Sequence, residues 1–332
     1  MRLIIVLLIA ASMSTPAEAQ RAGEPIIDMH LHAFTLDFAK GVPVCTGDQE
    51  PIQPTIDPKE SFDSLVPGTC PKPVISPASD EALMRESLAM LKSLNIRRAV
   101  AGGALPEVTK WRAAAPDVIL AGLNFAAKKP VLVEEFRRLH KAGDFSVFAE
   151  VSTQYRGVSA ADSRWEPFFA LAEELDIPVG IHLGEGPPAA ARFPGYETYR
   201  ASLTTPFQLE EVLHRHPKLR IYVMHYASPL VDEMIAMMFT HPNLYVDIAC
   251  NNWLNPRAQF YDHLKRMVDA GFEKRIMFGS DQIIWPGLIR AAVESVEQAP
   301  FLSKSQKRDI FYNNAARFLR LTKEQIAADH SR

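Results

Sequence analysis

Apolar and polar positions follow two alternating patterns along the chain. Short apolar runs predict eight strands, and apolar residues that recur every three or four positions predict the helices between them. The predicted strands lie near residues 26–31, 98–101, 118–122, 146–151, 178–182, 220–225, 244–248 and 275–278. The predicted helices lie around residues 80–94, 106–114, 131–142, 166–175, 206–215, 229–239 and 257–270, with two more near 288–297 and 305–319.

This alternation predicts an α/β fold with parallel strands, because each crossover must pass through a helix before the chain returns to the sheet. Several of the runs are apolar throughout, which is typical of parallel strands buried on both faces. Eight strand–helix units predict a single (β/α)8 TIM barrel. An open doubly wound sheet is the alternative, but no Gly-rich phosphate-binding loop follows the first strand.

The first residues have the pattern of a secretory signal peptide. Arg2 precedes an apolar run over residues 3–11, and Ala17-Glu18-Ala19 supplies the small residues of a cleavage site. The run is too short to anchor the chain in a bilayer. We therefore expect residues 1–19 to be a signal peptide and residues 20–332 to be the barrel domain of an exported protein, periplasmic or secreted.

Two of the three cysteines lie in a Pro-rich stretch that follows the first strand. Cys45 and Cys70 both fall within residues 41–77, and an exported protein meets an oxidising compartment, so we expect them to form a disulfide. Cys250 ends an apolar run and is expected to stay reduced. The stretch leaves the first strand at its carboxyl end, which favours a lid over that end of the barrel; a passive insertion is the alternative.

Charge excludes some classes of partner. The formal net charge is −3, and no Lys/Arg cluster is interleaved with aromatic residues, so neither nucleic acid nor a membrane surface is an expected partner. A small-molecule substrate is the remaining expectation. The sequence leaves the oligomeric state open, with a homodimer as one option.

Good ligands for a divalent cation end several of the predicted strands. His30 and His32 are two positions apart and therefore point the same way at the end of the first strand. The others are Glu150 near the end of the fourth strand, His182 and His225 at the ends of the fifth and sixth, and Asp281 after the eighth. In a barrel all six converge on the carboxyl rim, where such enzymes have their active sites. Histidines with two carboxylates suit Zn²⁺, with Mn²⁺ as the alternative.

This set of motifs resembles the amidohydrolase superfamily. The similarity lies in His30-Leu31-His32, the single histidines on strands five and six, and the run Phe278-Gly279-Ser280-Asp281. It is specifically similar to the amidohydrolase-related branch, which includes metal-dependent hydrolases and aminocarboxymuconate-semialdehyde-type decarboxylases. The resemblance implies a metal held by His30, His32, His182 and Asp281, and a His225 that is an acid/base or a ligand to a second metal. It also implies that Asp281 takes a proton from the metal's water.

Glu150 leaves the metal count open. Some related barrels, the TatD-type nucleases among them, place a bridging glutamate on strand four, and Phe148-Ala149-Glu150-Val151 looks similar to that strand. Such a bridge would make a two-metal site with His225 as a ligand. In single-metal, decarboxylase-like relatives that strand carries no ligand, and Glu150 would then support a histidine or bind substrate.

The function we expect is that of an exported metal-dependent hydrolase that activates water on the metal to cleave an ester, amide or lactone-type bond. The alternative is a metal-dependent non-oxidative decarboxylase of a small carboxylic acid, and a third interpretation is a noncatalytic metal- or ligand-binding barrel.

The loops offer further candidate site residues. Arg192 and Arg200 are candidate carboxylate binders, and Asn251, Asn252, Trp253 and Trp285 are candidate pocket residues. The remaining histidines, which are His140, His214, His216, His241, His263 and His330, are expected at the surface.

Overall fold

The computed structural model describes residues 24–39, 41–53, 55, 57–60, 69–125, 132–192 and 195–331. The predicted signal peptide, residues 1–19, lies outside the described residues. Within them, no helix combines the length and the apolar character needed to cross a membrane.

Within these described ranges, eight strands alternate with helices in chain order. The strands are β1 (Ile26–His32), β2 (Ile96–Gly102), β3 (Ile119–Ala121), β4 (Phe148–Val151), β5 (Val179–His182), β6 (Ile221–Met224), β7 (Tyr245–Asp247) and β8 (Ile276–Met277). The α-helices are α1 (Asp80–Ser93), α2 (Leu105–Ala114), α3 (Val133–Ala142), α4 (Glu166–Glu174), α5 (Glu210–Arg215), α6 (Val231–Thr240), α7 (Asn251–Leu254), α8 (Arg257–Asp269), α9 (Gly287–Glu297), α10 (Lys304–Arg308), α11 (Asn314–Phe318) and α12 (Lys323–Ser331).

The strands close into a barrel, as the sequence predicts. β1, β2 and β3 pair in parallel, as do β4 to β8 in order. A parallel bridge between Gly122 and Val147 joins the β3 and β4 sides. The ring closes between β8 and β1, where the Met29 amide donates to the Phe278 carbonyl at 2.9 Å. The predicted (β/α)8 fold is therefore confirmed.

The interior of the barrel is apolar at its amino end and polar at its carboxyl end. Inward side chains from the strands pack on the C-terminal segment, which closes the amino end; the cluster comprises Ile27, Met29, Val100, Val147, Ala149, Tyr222, Met224, Met277, Tyr312, Ala315, Ala316 and Phe318. Strand β1 changes its pairing with β2 between Asp28 and Leu31. Such an irregularity reverses the alternation of side chains along the strand. The side chains of the neighbouring residues Met29 and His30 can therefore both point into the barrel.

The C-terminal segment differs from its prediction in two respects. The single helix predicted near residues 305–319 consists of α10, a π-helical turn over Asp309–Asn313, and α11. A further helix, α12, follows where the sequence pattern is irregular. It is held by the buried Asp329, which accepts hydrogen bonds from Arg98 and Tyr312.

The predicted disulfide between Cys45 and Cys70 is present, and Cys250 is free. The described part of the segment between β1 and α1 contributes Phe38 and Val44 to the wall of the cavity at the carboxyl end of the barrel. The Trp285 indole N–H also donates to the Val42 carbonyl at 2.9 Å. The disulfide thus fastens a segment that covers part of the barrel mouth.

Replacing both Cys45 and Cys70 by serine is expected to lower the free energy of unfolding by on the order of 3 kcal/mol, because the disulfide spans 25 residues and restricts the unfolded chain. Urea unfolding without reductant, with the wild type beside the variant, measures the difference. With reductant present, the two proteins should unfold alike. Equal stability without reductant would contradict a stabilising disulfide.

Candidate metal centre

Six titratable side chains meet inside the carboxyl end of the barrel, and all six are buried. They are the residues that the sequence singles out, namely His30, His32, Glu150, His182, His225 and Asp281. Their ligand atoms fall into three groups within 4.8 Å, and the groups share members. Ring centroids are 4.9 Å apart for His30 and His225, and 4.6 Å apart for His182 and His225. Three strands, β1, β4 and β5, and the segments that follow β6 and β8 therefore supply one compact cluster.

Backbone conformation at the strand ends helps to place these side chains. φ is positive at His225 (61°), Cys250 (61°) and Asp281 (47°), which follow β6, β7 and β8. Such values are uncommon outside glycine, and backbone strain of this kind gathers at functional sites. At Gly279 a Cβ would lie 2.7 Å from the Cβ of His30, so a side chain there would displace the histidine.

Three histidines have one ring nitrogen engaged by an acceptor. The Nδ1 atom of His30 lies 3.1 Å from Asp247 Oδ2. The Nδ1 atom of His182 lies 3.2 Å from Gln154 Oε1, and that of His225 lies 3.0 Å from the Ala249 carbonyl oxygen. These acceptors favour the tautomer with the proton on Nδ1, which leaves the Nε2 lone pair directed at the centre.

Sequence reasoning missed two of these acceptors. Asp247 is fully buried and also accepts from the His225 and Ala249 amides. A carboxylate inside the apolar run of β7 was a signal that could have identified it. Gln154, in the 3-10 turn Thr153–Arg156 after β4, carries no such signal.

The donor set fits a divalent cation. The buried His30 Nε2 forms no hydrogen bond within the described part of the chain. Asp281 Oδ1 lies only 2.9 Å from His32 Nε2 and 3.8 Å from His30 Nε2. Buried polar atoms without partners are costly, and a cation would satisfy imidazole nitrogens and a carboxylate oxygen together.

Charges within the cluster shift its protonation. Burial by itself lowers the pKa of His30, but the Asp281 and Asp247 carboxylates outweigh it and raise this pKa to about 9. Burial raises the pKa of Asp281, but His30 and His32 outweigh burial and hold this pKa far below its usual range. Burial and the neighbouring His225 lower the pKa of His182. The centre thus holds an ionised Asp281, whose negative charge favours positive charge at the neighbouring histidines.

Glu150 lies within the cluster and not beside it. Its Oε2 is 3.6 Å from His32 Nε2, and its Oε1 is 3.9 Å from His182 Nε2. It belongs to two of the three candidate ligand groups, one with His30 and His32 and one with His182 and His225. Glu150 is therefore placed where a carboxylate shared by these two ligand groups would have to lie.

A cavity of about 470 Å³ opens from the cluster and continues into a smaller space of about 90 Å³. We call the wall formed by Asn124, Ser152, Arg156 and Tyr196 the polar arm. We call the wall formed by Val44, Trp253, Leu254 and Trp285 the apolar arm. Tyr155, His182, His225 and Asp281 line both spaces, so the cluster lies where the two arms meet.

The predicted pocket residues have mixed outcomes. Trp253 and Trp285 line the apolar arm, whereas Asn251 and Asn252 brace the loops by donating to Glu185 and to the Gly279 carbonyl. Arg192 and Arg200 are not in the described cavity walls. Arg192 donates to the Pro58 carbonyl at the surface, and Arg200 donates to the Glu197 and Tyr199 carbonyls.

The surface prediction for the remaining histidines is wrong for two of them. His216 is 5% exposed because it lies between Glu166 and Glu173, with Nε2 at 2.8 Å and Nδ1 at 3.3 Å from their oxygens. His263 is 7% exposed because α8 packs it on the Tyr226 hydroxyl. Helical periodicity did not reveal these pairings, which join separate elements.

Comparison with known proteins agrees with this architecture. Among solved structures, an uncharacterised TIM-barrel protein from Bordetella bronchiseptica is 22% identical with a TM-score of 0.56, over 78% of this chain and 88% of that one. A probable 2-pyrone-4,6-dicarboxylic acid hydrolase from Acinetobacter baumannii is 13% identical with a TM-score of 0.56, over 89% and 99% of the two chains. A 5-carboxyvanillate decarboxylase from Novosphingobium aromaticivorans, whose structure contains manganese, is 16% identical with a TM-score of 0.53, over 70% and 79%. At these identities the similarity shows the fold alone.

At the level of sequence, no curated protein matches the chain significantly. A family model described as Amidohydrolase matches residues 27–321, which include β1 from its second residue, β2 to β8 and all six residues of the cluster. The chain therefore belongs to the amidohydrolase family of metal-dependent enzymes.

Proposed function

We propose that this protein is an exported metal-dependent hydrolase that cleaves an ester, amide or lactone-type bond in a small molecule. One observation carries the proposal: a buried, ionised carboxylate, Asp281, lies among histidines at the base of a cavity, with its Oδ1 2.9 Å from His32 Nε2. A proton acceptor beside a cation site is the arrangement that water activation needs.

The proposed ligands are His30, His32, His182 and Asp281, with Zn²⁺ as the metal and Mn²⁺ as the alternative. His225 is either an acid/base or, together with Glu150, a ligand to a second metal. A divalent cation held here would lower the pKa of water and polarise a carbonyl oxygen. Asp281 would accept the proton of the attacking water and pass it to the leaving group.

Tyr155 is a proposed donor to the developing negative charge. Its hydroxyl lies 3.2 Å from His182 Nε2, and its ring lines both arms of the cavity. Burial raises the pKa of Tyr155 well above its usual value, so the phenol keeps its proton at neutral pH. When His182 Nε2 serves as a ligand, the hydroxyl is free to donate to the substrate's carbonyl oxygen as charge develops there.

Export is part of the proposal. The Cys45–Cys70 disulfide supports it, since such bonds persist outside the reducing cytoplasm. The proposed signal peptide covers residues 1–19, and the barrel domain follows from residue 20.

The product distinguishes hydrolysis from decarboxylation. A hydrolase turning over in H₂¹⁸O should place ¹⁸O in its product, because water is the nucleophile. Mass spectrometry of products from a panel of esters, lactones, amides and aromatic acids tests this. Release of CO₂ with no incorporation of oxygen would replace hydrolysis by the decarboxylase alternative.

Glu150→Gln is expected to remove one of two metal equivalents if Glu150 bridges them, because a neutral amide is a poor bridging ligand. Elemental analysis of the dialysed protein gives the metal content per chain. Glu166→Gln, which alters a surface glutamate paired with Arg215 and His216, is the control and should keep the wild-type content. One equivalent in both the wild type and Glu150→Gln would exclude the bridge and leave a single-metal site.

A further inference from the structure

We propose that Arg156 forms an anion subsite in the polar arm and binds a carboxylate of the substrate that is separate from the bond being cleaved. This inference rests on the proposed function, since it concerns the substrate of the same centre. It names the substrate class as small acids with an anionic group at one end and an apolar group at the other.

Arg156 lines the main cavity. Within the described part of the chain, its buried Nε forms no hydrogen bond and Arg156 forms no ion pair. An unpaired Nε–H is costly, because a buried donor loses its hydrogen bond to water without replacement. A ligand that supplies acceptors would recover that loss.

The contrast with other arginines supports a binding role. Two surface arginines each form a pair of hydrogen bonds with a carboxylate. Arg137 donates to Glu174 at 2.8 and 2.9 Å, and Arg164 donates to Asp162 at 2.8 and 3.1 Å. Arg192 and Arg200 donate to backbone carbonyls. Arg156 instead presents its guanidinium in the wall of the cavity that contains the cluster.

A second polar side chain lines the same wall. Asn124 lies in the polar arm with Arg156. Its side-chain NH₂ group is a donor that can add to those of the guanidinium, which suits the two oxygens of a carboxylate. Glu150, the acidic residue in this part of the wall, contacts His32 and His182.

The location of the subsite determines what it recognises. Arg156 directly follows Tyr155, whose hydroxyl contacts His182. Trp253 and Trp285 line the apolar arm, which meets the polar arm at the cluster. A substrate that spans both arms therefore places its reacting carbon between a carboxylate on Arg156 and an apolar group on the tryptophans.

Binding of hydroxamates to the Zn²⁺-loaded protein tests the subsite without turnover. A hydroxamate chelates zinc and therefore anchors one end of each ligand at the centre. One series of hydroxamates ends in a carboxylate (ω-carboxyalkyl), and a second series of equal lengths ends in a neutral amide (ω-carbamoylalkyl). The difference in affinity between the two series isolates the effect of the remote charge. Calorimetry should give, at the best length, about tenfold tighter binding for the carboxylate, which is about 1.4 kcal/mol. Arg156→Gln should abolish this advantage and leave the carbamoyl affinity unchanged.

Arg192→Gln is the matched control, because it removes an exposed loop arginine and should keep the full carboxylate advantage. Equal affinity for the two series in the wild type, or an advantage that persists in Arg156→Gln, would overturn the subsite. If Arg156→Gln fails to fold, Arg156→Lys replaces it and should retain only part of the advantage; a full advantage would overturn the assignment. If the carbamoyl hydroxamates bind equally well after zinc is removed, the proposed metal centre is contradicted. The difference in affinity between the carboxylate and carbamoyl series would still decide whether the subsite exists.

Discussion

Asp281→Asn is expected to lower turnover by about 10² to 10⁴, the usual contribution of a general base. The amide keeps the shape of the carboxylate but cannot accept a proton from water. The wild-type group is ionised because His30 and His32 outweigh burial and hold the pKa of Asp281 low, so the carboxylate is available as a base throughout the neutral range. Steady-state kinetics at saturating metal, with metal content measured on the same samples, checks the expectation.

Asp309→Asn is a matched control for this variant. Asp281 and Asp309 are both 5% exposed, but Asp309 pairs with Lys274 on the π-helical turn and is not in the described cavity walls. Its replacement should leave turnover unchanged, even if the free energy of unfolding falls. An Asp281→Asn enzyme with full metal content and wild-type turnover would refute the assignment of Asp281 as the proton acceptor.

Asp247→Asn is expected to weaken metal binding by about 10- to 100-fold, as loss of a partner to a ligand typically does. The Asn carbonyl can still accept from the His225 and Ala249 amides, so its NH₂ group would face His30 Nδ1. That nitrogen would then accept, and the His30 proton would move to Nε2, the atom that faces the centre. Competition with a chromophoric chelator measures the affinity, and ¹⁵N shifts of the ring report the tautomer.

Asp28→Asn separates this effect from the general cost of changing a buried aspartate. Asp28 is also fully buried and accepts two backbone amides, from His30 at 3.0 Å and from Ser280 at 2.9 Å. Within the described residues, Asp28 forms no ion pair with an imidazole nitrogen, unlike Asp247. Metal affinity should therefore stay near the wild-type value in Asp28→Asn. An equal loss of affinity in both variants would show that Asp247 has no specific effect on His30.

The candidate ligands could be identified from the sequence, but their hydrogen-bond partners could not, because these partners come from distant segments or irregular turns. His30 and Asp247 are 217 positions apart, and their pairing depends on how the barrel places β1 and β7 on either side of β8. Gln154 and Arg156 lie in a short 3-10 turn whose conformation no periodic pattern predicts. Arg192 and Arg200 are the loop arginines that the sequence suggests as carboxylate binders, whereas the structure places Arg156 in the cavity wall.

From the sequence by itself came the barrel, the order of its strands, the Cys45–Cys70 disulfide and the six residues of the cluster. These follow from local features, since apolar periodicity specifies an element and the fold places every carboxyl end at one rim. The tertiary structure decided which side chains complete the site. The reversed alternation in β1, the Asp247 acceptor and the two arms of the cavity arise from contacts between distant segments, whose geometry depends on strand register and packing rather than on local pattern.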